Sequence, residues 1–542
     1  MTEKGSEGDG KFVYAEATVD EKVGFIFDRM KESSFLGDCR NKLKSELKRQ
    51  LNNMEGDEED FHVNLTYMMQ RLGLVHAIKT FVMDIHTEGT KDKRDFGKQN
   101  AALVSIEPDR REALEAIEVA RKAWEAFATD SLREYVRQTS TPLVVYHENV
   151  SSKDAPETTK PNVASRFLFS SDDFLTALQR IAPLNRSPHV PPHPWSSIHP
   201  LLRTRELVEI QQQYTELSPS HAQYGLDEDV PNIHGDYVYI QGKNKLGDKV
   251  LQNGTVPTAR QYAKTGSPIT LRPHIWRQAL SVAIDPIYFQ QLEAKVRAMT
   301  FATDGLFMLD VQQTTDSSDY FPFEDHLRSV MLAFSRDEQV ASQAVMTLQH
   351  PVLFHNTNPT AEKTGSNVAI PPANVMPYHG LVMFVAPLCY LYDDPVHVYF
   401  VFRDMYCRYW CQLTGISARP NSILALCKTF ETLVHRHIPA VVQHLLQHEI
   451  VPLVIAFPWI QSAFSGVLEI DQVLLLWDRV VGYDSLEIIA IFAAALFTFR
   501  SHELLQVTKI DDVRDLFTEA LEIQVMPILQ QFLFPIFEPH GK

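Results

Sequence analysis

The sequence predicts an all-α protein, and three of its features lead to that conclusion. Apolar residues recur at helical spacing in many segments, for example at Ile117, Ala120 and Trp124. Residues 486–499 are apolar all round, which is typical of a helix buried at the centre of a core. Helix-capping residues and prolines mark the ends of many of these segments.

The composition excludes several classes of protein. With 542 residues, 44% of them hydrophobic and 22% charged, the chain is globular and too long for one core. Lysine and arginine number 51 against 68 acidic residues, and the net charge of −17 argues against nucleic acid as a partner. The five cysteines are an odd and sparse set, which indicates a reducing compartment rather than a disulfide framework.

Two features bear on location. The longest apolar runs, residues 381–392 and 488–499, are 12 residues each, whereas a membrane-spanning helix needs about 20. The first residues, M-T-E-K-G-S-E-G-D-G-K, lack the apolar core of a signal peptide. We therefore expect a cytoplasmic protein that reaches membranes only indirectly, through a partner.

The chain divides into three predicted parts. Residues 1–182 form a helical N-terminal region, in which a helix with Pro108 in its first turn runs to Phe127 and buries Leu114 and Trp124 on one face. Residues 183–254 form a linker with six prolines between 183 and 200, followed by a short helix and a loop. That loop includes G-K-N-K-L-G-D-K at 242–249, which lacks the Gly-Lys-Ser/Thr ending of a phosphate-binding loop. Residues 255–536 form the larger helical domain.

The larger domain contains five motifs. The first, G-S-P-I-T-L-R-P-H-I-W at 266–276, places Arg272 and Trp276 one helical turn apart, so that the guanidinium can stack on the indole. The others are F-P-F-E-D-H-L-R-S-V-M-L-A-F-S-R-D at 321–337, P-Y-H-G-L at 377–381, F-P-W-I-Q-S-A-F at 457–464 and L-L-L-W-D at 474–478. In this order they resemble the motifs of the TBC domain, the helical module of Rab GTPase-activating proteins. The resemblance covers about residues 255–535 and implies a domain of two helical subdomains.

The resemblance also implies a functional site. The TBC family is understood to use two catalytic fingers, an Arg in Asp-x-x-Arg-Thr and a Gln in Tyr-x-Gln-Gly. The first motif corresponds here to D-V-Q-Q-T at 310–314, so Gln313 stands in the place of the Arg; in the second motif His379 replaces the Gln. The chain is thus expected to be an atypical member that lacks both fingers. The residues expected to shape this site or bind the GTPase are Arg272, Trp276, Asp310, Tyr378 and Gly380.

These replacements change the expected chemistry. Activation of a GTPase requires positive charge near the transferring phosphate and an aligned water molecule. The Gln313 amide can donate hydrogen bonds but cannot neutralise phosphate charge, and the His379 imidazole can orient a water. We therefore expect an activator of Rab GTPases in vesicle trafficking whose turnover is weak or depends on the GTPase's own Gln. The alternative is a non-catalytic scaffold that binds a Rab.

A second alignment of the first finger is also open. Asp325-His-Leu-Arg328-Ser329 is another Asp-x-x-Arg followed by a hydroxyl residue, and Arg328 would then be the finger. Against it, Leu327, Val330, Met331 and Phe334 are spaced as one buried helical face, which would place Arg328 on the solvent side.

No metal site or cofactor is expected in the chain itself. His444 and His448 have the spacing of a zinc pair, and Cys407 and Cys411 stand one turn apart, but neither pair has the further ligands that zinc requires. Magnesium and GTP would be carried by the partner GTPase. In this interpretation the chain regulates the enzymatic activity of another protein and has no substrate of its own.

Overall fold

The computed structural model describes residues 106–147, 168–181, 196–200, 204–226, 238–355, 367–518 and 523–535, with residue 202 and six isolated residues before 70. The chain divides into two compact units, residues 1–107 and 108–542, and nearly all described residues belong to the second. The helices expected before residue 100, and residues 183–195 of the proline-rich linker, lie outside the described residues. The predicted division into three parts therefore stays a prediction.

Helices dominate the described residues, which confirms the all-α class. The α-helices among them are α1 (Ile106–Thr139), α2 (Ser171–Gln179), α3 (Leu207–Gln213), α4 (Val238–Asn253), α5 (Val256–Ala263), α6 (Arg272–Leu280), α7 (Pro286–Ala298), α8 (Ala302–Thr315), α9 (Glu324–Ser335), α10 (Glu338–Gln343), α11 (Pro395–Arg408), α12 (Ile423–His437), α13 (Pro439–Gln447), α14 (Pro452–Gln461), α15 (Ile470–Tyr483), α16 (Glu487–Phe499), α17 (Ser501–Leu504), α18 (Ile510–Thr518) and α19 (Val525–Leu533). Short 3₁₀ helices occur at Thr215–Leu217, Phe321–Phe323, Val382–Phe384, Ala386–Tyr390 and Trp410–Leu413.

Four short strands form two antiparallel pairs among the described residues. Strand β1 (Val144–Tyr146) pairs with β2 (Met299–Phe301), and β3 (Val352–His355) pairs with β4 (Asn367–Ile370). In the first pair Val144 lies opposite Phe301. Since α8 begins at the next residue, this pairing joins a segment near residue 145 to the start of that helix.

Helix α16 lies at the centre of the core. Every side chain from Ile488 to Phe497 is buried, as the apolar composition predicts, and the helix packs against α12, α14, α15 and α19. Within the described part of the chain, no single helix has the length and apolarity to cross a membrane. Helices α13 and α14 meet those criteria only as a pair, and they are bent by 110°.

Helix α1 is longer than predicted and buries a different face. It continues twelve residues past Phe127, and Phe127 and Leu114 are 45% and 47% exposed. Ile117 and Trp124 are buried as predicted. The remaining buried apolar positions are small or come after the predicted end: Ala113, Ala116, Ala128, Leu132 and Tyr135. A search for large apolar residues overlooks alanines, although they allow close helix packing.

The loop predicted around residues 242–249 is wrong, because these residues belong to helix α4. Its glycines and lysines are typical of a loop, but packing outweighs that preference. A Cβ atom on Gly247 would lie 2.5 Å from Leu271 Cδ1 and 2.8 Å from Tyr262 Oη, so the glycine allows α4 to approach these side chains closely. Residues 242–249 are thus part of a packed helix, which agrees with rejecting them as a phosphate loop.

The apolar stretch after Gly380 does not form an α-helix. It forms two 3₁₀ helices, Val382–Phe384 and Ala386–Tyr390. Pro387 has no amide hydrogen to donate, which explains why a regular α-helix does not run through the stretch. The side chains of this stretch are nevertheless mostly buried.

Asp478 joins two of the sequence motifs in the core. Its carboxylate is fully buried and accepts hydrogen bonds from Arg272 Nε and Nη2 at 3.1 and 3.0 Å and from Trp276 Nε1 at 2.7 Å. The Ser267 amide donates to the same carboxylate at 2.9 Å. Arg272 and Trp276 do lie on one face of α6, but they meet through Asp478. A buried charge is tolerated here because several donors satisfy it.

We expect Asp478→Ala to lower the free energy of unfolding by about 3–5 kcal/mol, because it leaves the Arg272 guanidinium buried without its counter-ion. Chemical denaturation of the full chain measures this loss. The control is Asp130→Ala, which removes an exposed ion pair with Arg133 and should cost less than about 0.5 kcal/mol. Equal losses in the two variants would contradict this account of the cluster.

Candidate functional site

Gln313 and His379, which the sequence predicts to stand at the two finger positions, are in direct contact. Gln313 Oε1 lies 2.8 Å from His379 Nδ1, within hydrogen-bonding distance. Both side chains are exposed, that of His379 by 56%. Gln313 is in the last turn of α8. His379 is in the loop just before the 3₁₀ helix Val382–Phe384. The structure therefore brings together two residues that are far apart in sequence, at a surface where a partner can reach them.

Asp310 holds these two elements together. It lies on α8 one turn before Gln313 and is 1% exposed. Its Oδ1 accepts the Gly380 amide hydrogen at 2.7 Å, and its Oδ2 accepts that of Val382 at 2.8 Å. Gly380 has φ = +97°, a conformation that favours glycine and that turns the loop over the carboxylate. We call residues 377–382 the His379 loop.

Burial raises the pKa of Asp310 to about 6. The amide hydrogens of Gly380 and Val382, and His379 Nδ1 at 3.8 Å from Oδ1, act in the opposite direction, because each favours the charged carboxylate. The loss of hydration outweighs these contacts. The carboxylate beneath the finger positions therefore titrates nearer to neutral pH than an ordinary aspartate does.

The start of α8 is fixed by a second buried carboxylate. Asp304 pairs with Arg336 at the end of α9 with an N–O distance of 2.6 Å, and it caps α8 by accepting the Phe301 amide hydrogen at 2.9 Å. Arg336 also donates to the carbonyl of Met299 in β2 at 2.8 Å. Helix α8 is therefore held at its first turn by Asp304 and near its last turn by Asp310.

Tyr378 supports the loop from inside. Its ring is 3% exposed and stacks on Phe169, with centroids 5.4 Å apart and planes 17° apart. Burial raises the pKa of its hydroxyl well above the ordinary value, so it is neutral. The carbonyl of Phe169 accepts the His379 amide hydrogen at 3.2 Å. Sequence reasoning missed Phe169, because no local pattern connects it with a loop more than two hundred residues later.

A groove of about 690 Å³ opens beside His379. One side is formed by the start of α2 and the other by α14, α18 and residues 466–469. Charged groups of both signs border it together with large apolar side chains: Asp172, Glu469, Arg514, Trp459 and Phe517. A partner that reaches His379 would therefore also encounter this mixed surface.

The other residues singled out in the sequence lie elsewhere. Arg272 and Trp276 are buried on Asp478, so they can support the site only through the fold. Arg328 is exposed on α9, as expected if Leu327 and Phe334 face the core.

The two pairs considered as metal ligands, His444 with His448 and Cys407 with Cys411, make packing and hydrogen-bond contacts within the fold. His444 Nε2 contacts the Val507 carbonyl at 2.8 Å, and Cys407 and Cys411 are buried.

Comparison with known proteins identifies the domain. Residues 376–505 match the family model described as the Rab-GTPase-TBC domain. Human TBC1 domain family member 19 is 38% identical over 339 residues, which are 61% of this chain and 64% of that protein. These matches show that residues 376–505 resemble a TBC domain and support a TBC-like domain in this chain. The chain matches a little less than two thirds of this human relative's length.

Two solved TBC structures are similar to the chain at low sequence identity. The Chlamydomonas flagellar RabGAP TBC domain aligns with 60% of this chain and 90% of its own length, with a TM-score of 0.36 and 14% identity. The Ypt/Rab-GAP domain of Gyp1p aligns with 54% of this chain and 96% of its own, with a TM-score of 0.35 and 13% identity.

The family match includes only one of the two residues expected at the finger positions. The match to the TBC model begins at residue 376, so it includes the His379 loop but not Gln313 or Asp310. Position 313 is connected to the matched TBC residues through its contact with His379 and through the Asp310 hydrogen bonds. The roles of both residues as altered fingers stay a prediction.

Asp310→Asn should change how stability depends on pH. Because the folded-state pKa of about 6 is above the ordinary value of 3.8, the folded state binds more protons between these values. This contribution to stability is lost as pH rises through about 6. Relative to the Asn variant, the unmodified protein should lose about 1–3 kcal/mol between pH 4 and pH 7. Denaturant titrations of both proteins at three pH values measure the difference. A relative gain with rising pH would refute the assignment.

Proposed function

We propose that the chain binds a Rab-family small GTPase at the surface formed by Gln313, the His379 loop and the adjacent groove, and that it stimulates GTP hydrolysis weakly. The match to the Rab-GTPase-TBC domain supports the choice of partner. The observation that carries the proposal is the 2.8 Å contact between Gln313 and His379 on an exposed surface, with Asp310 buried beneath it. Two separate elements are thus held where a nucleotide-bound partner could meet both.

The contact determines which polar groups remain available. For the contact to be a hydrogen bond, His379 Nδ1–H donates to Gln313 Oε1. The free groups are then the Gln313 amide hydrogens, which can donate to a phosphate oxygen, and His379 Nε2, which in the neutral ring can accept a hydrogen bond from a water. These are groups that can position a phosphate and a nucleophilic water, the geometric part of phosphoryl transfer.

The electrostatic part is missing from this pair. An arginine finger contributes about 10³–10⁵ in rate, because its charge stabilises negative charge on the phosphate oxygens. The amide of Gln313 has no net charge, so we expect turnover to be weak or to depend on the GTPase's own catalytic Gln. The chain needs no cofactor of its own in this role, since magnesium and GTP arrive with the GTPase.

The second candidate is a non-catalytic scaffold that holds a GTP-bound Rab. It is favoured by the hydrogen bond between Gln313 and His379, since each side chain already has a partner before any GTPase binds. In either role we propose that the chain acts in the cytoplasm and at endomembranes, in vesicle trafficking. It would reach the membrane only through the GTPase.

Single-turnover GTP hydrolysis across a panel of Rab proteins tests the proposal. Among those that bind the unmodified chain, we expect stimulation far below a thousandfold. The double change Gln313→Arg with His379→Gln should raise the hydrolysis rate about ten- to a thousandfold, because it supplies a cation and an amide at the finger positions.

The matched control is Gln312→Arg, which adds the same charge at an exposed neighbouring position. It should leave hydrolysis unchanged. Stimulation near a thousandfold by the unmodified chain would rule out the scaffold. Tight binding together with no gain from the double change would show that Gln313 and His379 are not the finger positions.

A further inference from the structure

The segment from Leu168 to Gln179 contacts the His379 loop although it lies outside the residues that match the TBC model. Phe169 makes two separate contacts with this loop. Its carbonyl accepts the His379 amide hydrogen at 3.2 Å, and its ring stacks on Tyr378 with centroids 5.4 Å apart. The backbone and the neighbouring ring of the altered finger are thus both held by one upstream residue.

Phe169 is itself held rigidly. Trp124 of α1 meets its ring edge-on at 4.9 Å and stacks on Phe174 of α2 at 4.6 Å. Phe174 in turn meets Phe457 of α14 at 5.9 Å. These rings are 8% exposed or less. The chain of rings runs from α1 and α14 through Phe169 to Tyr378, so the position of the loop depends on side chains before the TBC match as well as within it.

The same segment borders the groove beside His379. Ser170 caps α2 through a reciprocal capping box with Asp173, which fixes where the helix begins. Ser171 and Asp172, in the first turn, line the groove. Asp172 is exposed, and its carboxylate projects from an element whose position is set by the capping box and by Phe174. A partner in contact with His379 would therefore also meet a fixed negative charge.

We propose that residues 168–179 are part of the partner-binding site, with Phe169 as a positioning residue for His379 and Asp172 as a contact for a basic side chain of the bound protein. The identity of that protein as a small GTPase rests on the proposed function. The positioning of His379 by Phe169 does not, because it is a contact within this chain. Binding would then require this segment in addition to the TBC match at 376–505.

Hydrogen–deuterium exchange on the full-length chain tests the positioning directly. Phe169→Leu removes the stacked ring, and the exchange of the His379 amide should become about tenfold faster. Phe169→Tyr keeps the ring and should restore slow exchange. The control is Phe289→Leu, which truncates a ring of similar burial that packs against Tyr399 in a tilted arrangement, with centroids 5.1 Å apart. If His379 exchanges equally in Phe169→Leu, Phe289→Leu and the unmodified chain, Phe169 does not position the loop.

Binding to a GTP-loaded Rab tests the surface. Phe169→Leu should weaken binding about three- to tenfold and Phe169→Tyr should not. Asp172→Lys should weaken it about tenfold, most strongly at low salt, because it repels the basic contact. Glu338→Lys, a charge reversal in the first turn of α10, is the matched control and should bind normally.

The two proposals fail in different ways. If the unmodified chain binds no Rab, the proposed function is wrong, and the exchange of the His379 amide still decides whether Phe169 positions the loop. If a Rab binds equally well to the unmodified chain and to Asp172→Lys, residues 168–179 are not part of the surface. Unchanged exchange in Phe169→Leu overturns the positioning role even where a Rab binds.

Discussion

The geometry of the candidate site depends on one buried carboxylate, that of Asp310. It accepts two amide hydrogens from the His379 loop while it lies one helical turn before Gln313 on α8. Burying a charge is costly unless donors satisfy it, and here the donors belong to a loop some seventy residues later in the chain. The loop and the helix are therefore fixed to each other, and any movement of Asp310 would move both finger positions.

A buried carboxylate with several hydrogen-bond donors occurs at two other places in the fold. Asp304 joins the start of α8 to Arg336 at the end of α9, and Asp478 joins α15 to Arg272 and Trp276 of α6. Helices joined mainly by loops lack the ladder hydrogen bonds that set register in a sheet. Buried carboxylates with several donors can fix such contacts, because they accept only one arrangement of their partners. This chain places one of them directly beneath its candidate site.

What the sequence predicts well is periodic and local. The apolar composition of α16 and the buried face of α9, which includes Leu327 and Phe334, follow from residue spacing alone. The five motifs predicted the resemblance to the TBC domain. The adjacency of Gln313 and His379 followed from aligning D-V-Q-Q-T at 310–314 and P-Y-H-G-L at 377–381 with the family's two finger motifs. The α4 helix was missed because packing outweighed the local preference of its residues for a loop. The buried alanines of α1 were missed because large side chains were taken as the sign of a buried face. The contact of Phe169 with the His379 loop has no local signal at all, since it exists only after the chain has folded.

The residues at positions 313 and 379 are chemically matched to each other. Glutamine has a carbonyl oxygen that can accept from His379 Nδ1–H, whereas arginine has five donors and no acceptor. An arginine at 313 opposite the present His379 would therefore set donor against donor, and it would gain a partner only if the ring presented an unprotonated Nδ1. Likewise, the His379 ring can bond to Gln313 with Nδ1 and still leave Nε2 free. The two positions thus form one hydrogen-bonded unit, and under the proposed function the chemistry of the pair, rather than of either side chain alone, would decide whether the domain activates a GTPase or only binds it.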